Sequence, residues 1–231
     1  MNFSCFANDE FEADSCHIRI MVKYFSNGLY SFLKELAQNN NRDWFMDNKS
    51  RYEAQIKEPM LAFLDDLSKQ LEDGYEVSSK SMLRQHRDTR FSKDKSPYKV
   101  SVACFMYSTK MKKSDRPHGY YLHLDNDESF SGAGVHSPPG PHLLKIRNRI
   151  VGHPKEWKAI SKLQLTGESL KRAPKGFDPD HEYVSDLKRK DFIVMTKLTK
   201  AEVTSSEFLD TYLRHCRANR PLVDFLGNAL G

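Results

Sequence analysis

Residues 84–99, RQHRDTRFSKDKSPYK, set Arg84, Arg87 and Arg90 at every third position, with Lys95 and Lys99 beyond them and Asp88 and Asp94 in between. A guanidinium grips a phosphate or carboxylate through two parallel hydrogen bonds, so three converging arginines would make a strong anion site. A period of three puts alternate arginines on opposite faces of a strand. One shared site therefore requires an irregular loop, and the turn-forming residues 92–97 supply one. Two other readings stand beside anion binding. The aspartates can pair with the neighbouring arginines and brace the loop, or Asp88 can move a proton.

A second group lies further along. Tyr121 and His123 share parity on one strand and face the same side of a sheet, and His136 can join them. Arg147 follows on a helix just past a glycine-rich strand end. The sharpest expectation is a cleft lined by Arg84, Arg87, Arg90, Lys95, Lys99, Tyr121, His123 and Arg147. His123 or Asp88 is the candidate catalytic group, His123 because an imidazole titrates nearest neutrality. The expected function is an anion- or phosphate-binding module, its partner a phosphate-bearing small molecule or nucleic acid. Phe91, Tyr98, Tyr120 and Tyr121 are then available for base stacking. The alternatives are an enzyme acting on a small anionic substrate in the same cleft, and a structural protein in which the Arg/Asp cluster braces a loop.

The cofactor is left open, and no metal site is expected. The nine histidines lack carboxylates at ligand spacing, and Asp125, Asp127 and Glu128 lack the remaining oxygens of a calcium loop. No phosphate-cradling glycine motif and no Ser or Cys nucleophile motif is present.

The 231 residues carry 36 Lys+Arg and 31 Asp+Glu, a net charge of +5. The charge is uneven. Residues 80–116 hold 11 basic and 3 acidic side chains, and residues 144–175 hold 9 and 2. If these blocks meet they form a positive face for phosphate-bearing partners; the alternative is neutralisation by the acidic N-terminal segment. No run approaches the roughly 20 apolar residues of a membrane helix. Cys5, Cys16, Cys104 and Cys216 form no C-x-x-C pair. The first 22 residues are acidic and lack the basic start and apolar middle of a secretory signal. They read as a mobile extension, 1–22, of a cytoplasmic protein, with nuclear entry left open.

The elements that must position these groups follow from periodicity. Leu29, Phe32, Leu33 and Leu36 mark one helix, capped by Ser26 or Asn27. A second helix starts near Asp43, Pro59 breaks it or begins a new one, and an apolar stripe continues to about Asp73. Alternation then predicts strands through Val100–Met106, Tyr120–Leu124 and residues 128–136, joined by a polar link at 108–118. The short connections require antiparallel pairing. Helices are expected over residues 143–152 and from Pro154 through Leu163, then loop over 166–181, a short helix at 184–188 and a strand at 192–197. Ser205 or Ser206 caps the next helix, and Pro221 restarts a last one. The sum is a single α+β domain over 23–231, its central and mainly antiparallel sheet flanked by helices from the N- and C-terminal parts.

Several stretches resemble the conserved hypothetical family called domain of unknown function 2461. They are NNNRDWFMDNKSRYE at 39–53, RDTRFSKDKSPYK at 87–99, GYYLHL at 119–124, the SGAGV…PP…LLKIRNRI stretch at 131–150, LKRAPKGFDPDHEY at 170–183 and RPLVDFLGNAL at 220–230. The resemblance spans about residues 26–230. It implies a single domain and no particular reaction. The chain departs from the family pattern at Ala133, where a glycine is expected, and at His136, where an aromatic is expected.

Overall fold

The computed structural model describes residues 22–109 and 118–231. The expected extension lies, apart from Val22, outside the described residues, and so does most of the 108–118 link.

The N-terminal helices form where the periodicity places them. Ser26 accepts the Gly28 N–H and opens α1 (Asn27–Gln38), which buries Leu29, Phe32, Leu33 and Leu36. Asn41 caps α2 (Arg42–Asp47) through the Trp44 N–H, one residue ahead of the expected start. Pro59 does not break the chain that follows. α3 (Lys49–Tyr52) widens into a single π turn, Glu53–Lys57, and continues as α4 (Glu58–Ser68) with Pro59 in its first turn. A proline has no N–H to return to the preceding turn, and the wider turn ahead of it absorbs that loss.

The sheet is built from β1 (Val102–Tyr107), β2 (Gly119–Leu124), β3 (Ser129–Val135), β4 (Leu165–Thr166) and β5 (Phe192–Leu198), in the order β1-β2-β3-β5-β4. Every pairing is antiparallel. The two-residue β4 lies at the edge of a stretch expected to be loop. Helices α5 (Gly140–Gly152) and α6 (Pro154–Ile160) follow β3, α7 (Val184–Leu187) precedes β5, and α8 (Lys200–Val203) and α9 (Phe208–Leu230) close the chain.

Two expectations near the C-terminus are corrected. α8 was not anticipated, although Thr199 and Glu202 form a reciprocal capping box around its first turn. α9 starts after Glu207 with no side-chain cap, so neither serine caps it, and it runs unbroken through Pro221. Pro221 is exposed, whereas Cys216, Leu222, Val223, Phe225 and Leu226 on either side of it are buried. Packing of that stripe outweighs the roughly 3 kcal/mol cost of an interior proline.

Strand alternation gives the sheet two unlike faces. Cys104, Met106, Tyr120, Leu122, Leu124, Ala133, Phe192 and Val194 belong to two apolar cores shared with the helices. One core collects α1 to α4 and the first half of α9. The other collects α5, α6 and the end of α9, around the fully buried Trp157, whose indole N–H donates to Asp186 at 2.8 Å. The opposite face carries Phe105, Tyr121, Phe130, Ile193 and Met195, none of which belongs to either core. The register sets Tyr121 opposite both Phe105 and Gly132, and Gly132 opposite Met195. The fold is thus one α+β layer pair, helices on one side of the sheet and an open face on the other. No described helix is long and apolar enough to cross a membrane.

Candidate functional site: a cleft on the open face of the sheet

The open face holds a cleft of about 580 Å³. Gly119, Gly132 and Gly134 are its floor, and Phe105, Tyr121, Phe130 and Met195 stand around it, with Leu83 and His136 at the rim. The three glycines are there for different reasons. A Cβ on Gly119 would overlap the Met106 carbonyl oxygen, because β1 passes too close. Gly134 has φ +119°, and a Cβ there would overlap the Phe192 carbonyl oxygen. Gly132 has neither constraint. The nearest atom to a Cβ built on it is the Tyr121 Cβ, 3.4 Å away, which is ordinary contact.

A chain of polar groups runs along β2 beside the cleft. Asp125 Oδ1 accepts the backbone N–H groups of Asp127 (2.8 Å) and Glu128 (2.6 Å), which pins the carboxylate in the β2–β3 turn. Its Oδ2 lies 3.1 Å from His123 Nε2. His123 Nδ1 lies 3.3 Å from the Tyr121 hydroxyl. The imidazole is stacked on Phe130, with centroids 5.0 Å apart and planes at 17°. A carboxylate on Nε2 fixes the proton there and leaves Nδ1 as an acceptor. Burial raises the Tyr121 hydroxyl pKa, with a smaller contribution from Cys104, so the phenol keeps its proton.

The basic segment is organised differently from the single cleft expected. Arg87 pairs with Asp94 and also reaches the Ser96 carbonyl and Ser92 hydroxyl. Hydrogen bonds from Ser96 and from Arg87 hold the Asp94 carboxyl well below the usual carboxylate range. Arg90 forms a two-pronged pair with Asp88, at 2.7 and 3.0 Å, and lowers its pKa. Lys95 donates to the Thr89 carbonyl. Arg84 and Lys99 make no side-chain hydrogen bond or ion pair among the described residues, and the Arg84 charge helps to lower the Asp88 pKa. Burial, and then the Arg84 charge, lower the Lys99 pKa. At the loop tip Phe91 is 95% exposed, with the Arg90 guanidinium 5.8 Å from its ring centroid.

Arg147 takes no part in this loop. Its guanidinium donates to the carbonyls of Leu187 and Arg189, tying α5 to the segment before β5. Two of the four aromatics expected to be free for stacking are in the core. Tyr98 is stacked on Phe45 at 4.0 Å, and Tyr120 is buried with its hydroxyl on Glu72 at 2.8 Å. Tyr121 and His123 do share the open face. His136 sits just beyond β3 at the cleft rim, its Nε2 3.7 Å from the buried Asp191, which the Ser137 and Glu168 N–H groups hold in place. No group of three or more His, Cys, Asp or Glu able to hold a metal occurs among the described residues.

The sequence reasoning missed Asp125 as the partner of His123, and Gly132 as part of a site. Asp125 was legible in principle, since 121, 123 and 125 share parity.

No curated protein and no solved structure is similar to the chain at a significant level. A family model does match, across residues 28–225, under the description conserved hypothetical protein (DUF2461). That span includes the basic loop, all five strands and most of α9, and the chain belongs to this family.

Proposed function

We propose that the protein binds a small, flat, mostly apolar molecule in the cleft on the open face of its sheet, with the Tyr121 hydroxyl as its polar contact. Gly132 carries this reading. A glycine inside a central strand weakens it and marks a place where something approaches the backbone closely. At Gly119 and Gly134 that something is the protein itself. At Gly132 no atom of the described residues comes nearer than ordinary contact, which leaves the space over it for a ligand between Tyr121 and Phe130. A volume of about 580 Å³, apolar walls and a few placed polar groups suit a small-molecule site. The test is ligand-observed NMR of the full chain with two-ring aromatics such as naphthalene and quinoline, beside Gly132→Leu, whose side chain rises into the cleft. Binding that is lost in the variant at unchanged melting temperature supports the reading. Absence of binding, or equal binding by the variant, overturns it.

A second reading keeps the basic loop as an anion or nucleic-acid contact. What favours it is the exposed Phe91 on a loop held by internal ion pairs, together with Arg84 and Lys99, which form no ion pair within 4 Å among the described residues. It predicts binding of single-stranded DNA or RNA that falls steeply with salt and weakens in Phe91→Ala and Arg84→Ala. Salt-independent or absent binding rejects it. An enzymatic version would act through Tyr121 rather than Asp88, since Asp88 is exposed and held as a carboxylate by Arg90.

A further inference from the structure

The Tyr121–His123–Asp125 chain has a direction. Asp125 Oδ1 is taken by two backbone N–H groups, and its Oδ2 faces His123 Nε2 at 3.1 Å. A carboxylate only accepts, so the proton of the neutral imidazole sits on Nε2. His123 Nδ1 is then a lone pair 3.3 Å from the Tyr121 oxygen, and the phenol hydrogen points at it. Stacking on Phe130 holds the ring in place and opposes the flip that would turn the ring carbons Cδ2 and Cε1 toward Tyr121 and Asp125. The raised pKa of the phenol, caused mainly by burial, keeps that hydrogen present. With its one hydrogen committed, Tyr121 has only an acceptor left to offer, and Tyr121 is the member of the chain that lines the cleft.

Resting on the cleft being a ligand site, we infer that it selects a planar ligand bearing a hydrogen-bond donor, an aromatic hydroxyl or ring N–H, over one of the same shape that can only accept. Tyr121 receives the hydrogen bond. His123 and Asp125 are positioning residues that fix its polarity.

The experiment compares 2-naphthol with 2-methoxynaphthalene on the full chain by titration calorimetry. The ether has the same ring system and more apolar surface, so burial alone favours it. The hydrogen bond gained by the naphthol, together with the Tyr121 acceptor left unmet under the ether, is expected to outweigh one methyl group and make 2-naphthol bind several-fold tighter. In Tyr121→Phe the preference disappears. In His123→Phe, which keeps a ring on Phe130 and removes the acceptor, Tyr121 is free to donate, so the preference falls while the ether binds at least as well as before. A purely structural role for His123 would instead weaken both probes together, and that result overturns the inference. Equal binding of the two probes to the wild type overturns the inference and leaves the cleft reading intact. Failure of both probes to bind overturns both.

Discussion

Replacing Gly132 by alanine separates a glycine kept for the fold from one that the fold does not need. The added methyl group lies 3.4 Å from Tyr121 Cβ, 3.7 Å from the Val194 carbonyl oxygen and 3.8 Å from Phe130 Cε2, all ordinary contacts. Steric cost is therefore absent. The unfolded chain loses freedom, and a strand-interior glycine is worse than alanine by about 0.5–1 kcal/mol. For a chain of this length about 1 kcal/mol corresponds to about 2–4 °C in melting temperature. Gly132→Ala should raise Tm by about 1–4 °C and move the urea midpoint upward with unchanged slope. Gly119→Ala and Gly134→Ala are the internal controls. The first forces β1 and β2 apart at the Met106 carbonyl, and the second adds a left-handed backbone to an overlap with Phe192. Strain of this kind costs about 1–3 kcal/mol or more, so both should melt several degrees lower. The assay is thermal and urea denaturation of the three variants side by side. If Gly132→Ala is destabilised like the other two, the glycine serves the fold, and the argument for a ligand over it collapses.

Acid should weaken the fold through His215. Burial, helped by Arg214 and opposed by Glu202, lowers its pKa from the ordinary value of 6.5, and its Nδ1 meets the Ser131 hydroxyl at 2.7 Å. The unfolded chain takes up that proton first, so stability is complete above about pH 6.5 and declines as pH falls below it; urea midpoints from pH 7.5 to 5.5 should fall, and less steeply in His215→Gln. Arg87→Ala removes the partner of Asp94 and the link to Ser96, so trypsin should nick the chain faster at Lys93 and Lys95 while the melting temperature barely moves. Trp157→Phe leaves Asp186 Oδ2 without its indole donor in a buried position, and should cost about 1–3 kcal/mol in urea unfolding.

Much of this architecture was legible in residue spacing. The period-two runs predicted three of the strands, and short connections required them to be antiparallel. What spacing did not reveal was which sheet face would stay bare. Tyr121 and Tyr120 are adjacent and chemically alike, yet one borders the cleft and the other is buried against Glu72. Only the placement of the helices decides between them. The Arg/Asp segment illustrates a different limit. Charges seven residues apart, Arg87 and Asp94, find each other through a loop whose path is not encoded in periodicity. Pro221 misled because local propensity speaks about one residue, whereas α9 answers to an apolar stripe on both sides of it.

That long helix has a consequence for how the chain folds. Phe208, Leu209, Tyr212 and Leu213 complete one core, and Leu222, Phe225, Leu226 and Leu230 complete the other. In chain order they follow every helix and strand they pack against. The α1–α4 bundle and the sheet therefore keep apolar surface uncovered until α9 docks, and both cores close on the arrival of one segment. A frameshift ahead of α9 thus removes more than one helix. It withholds the common wall of two cores and leaves sticky apolar faces for the quality-control machinery.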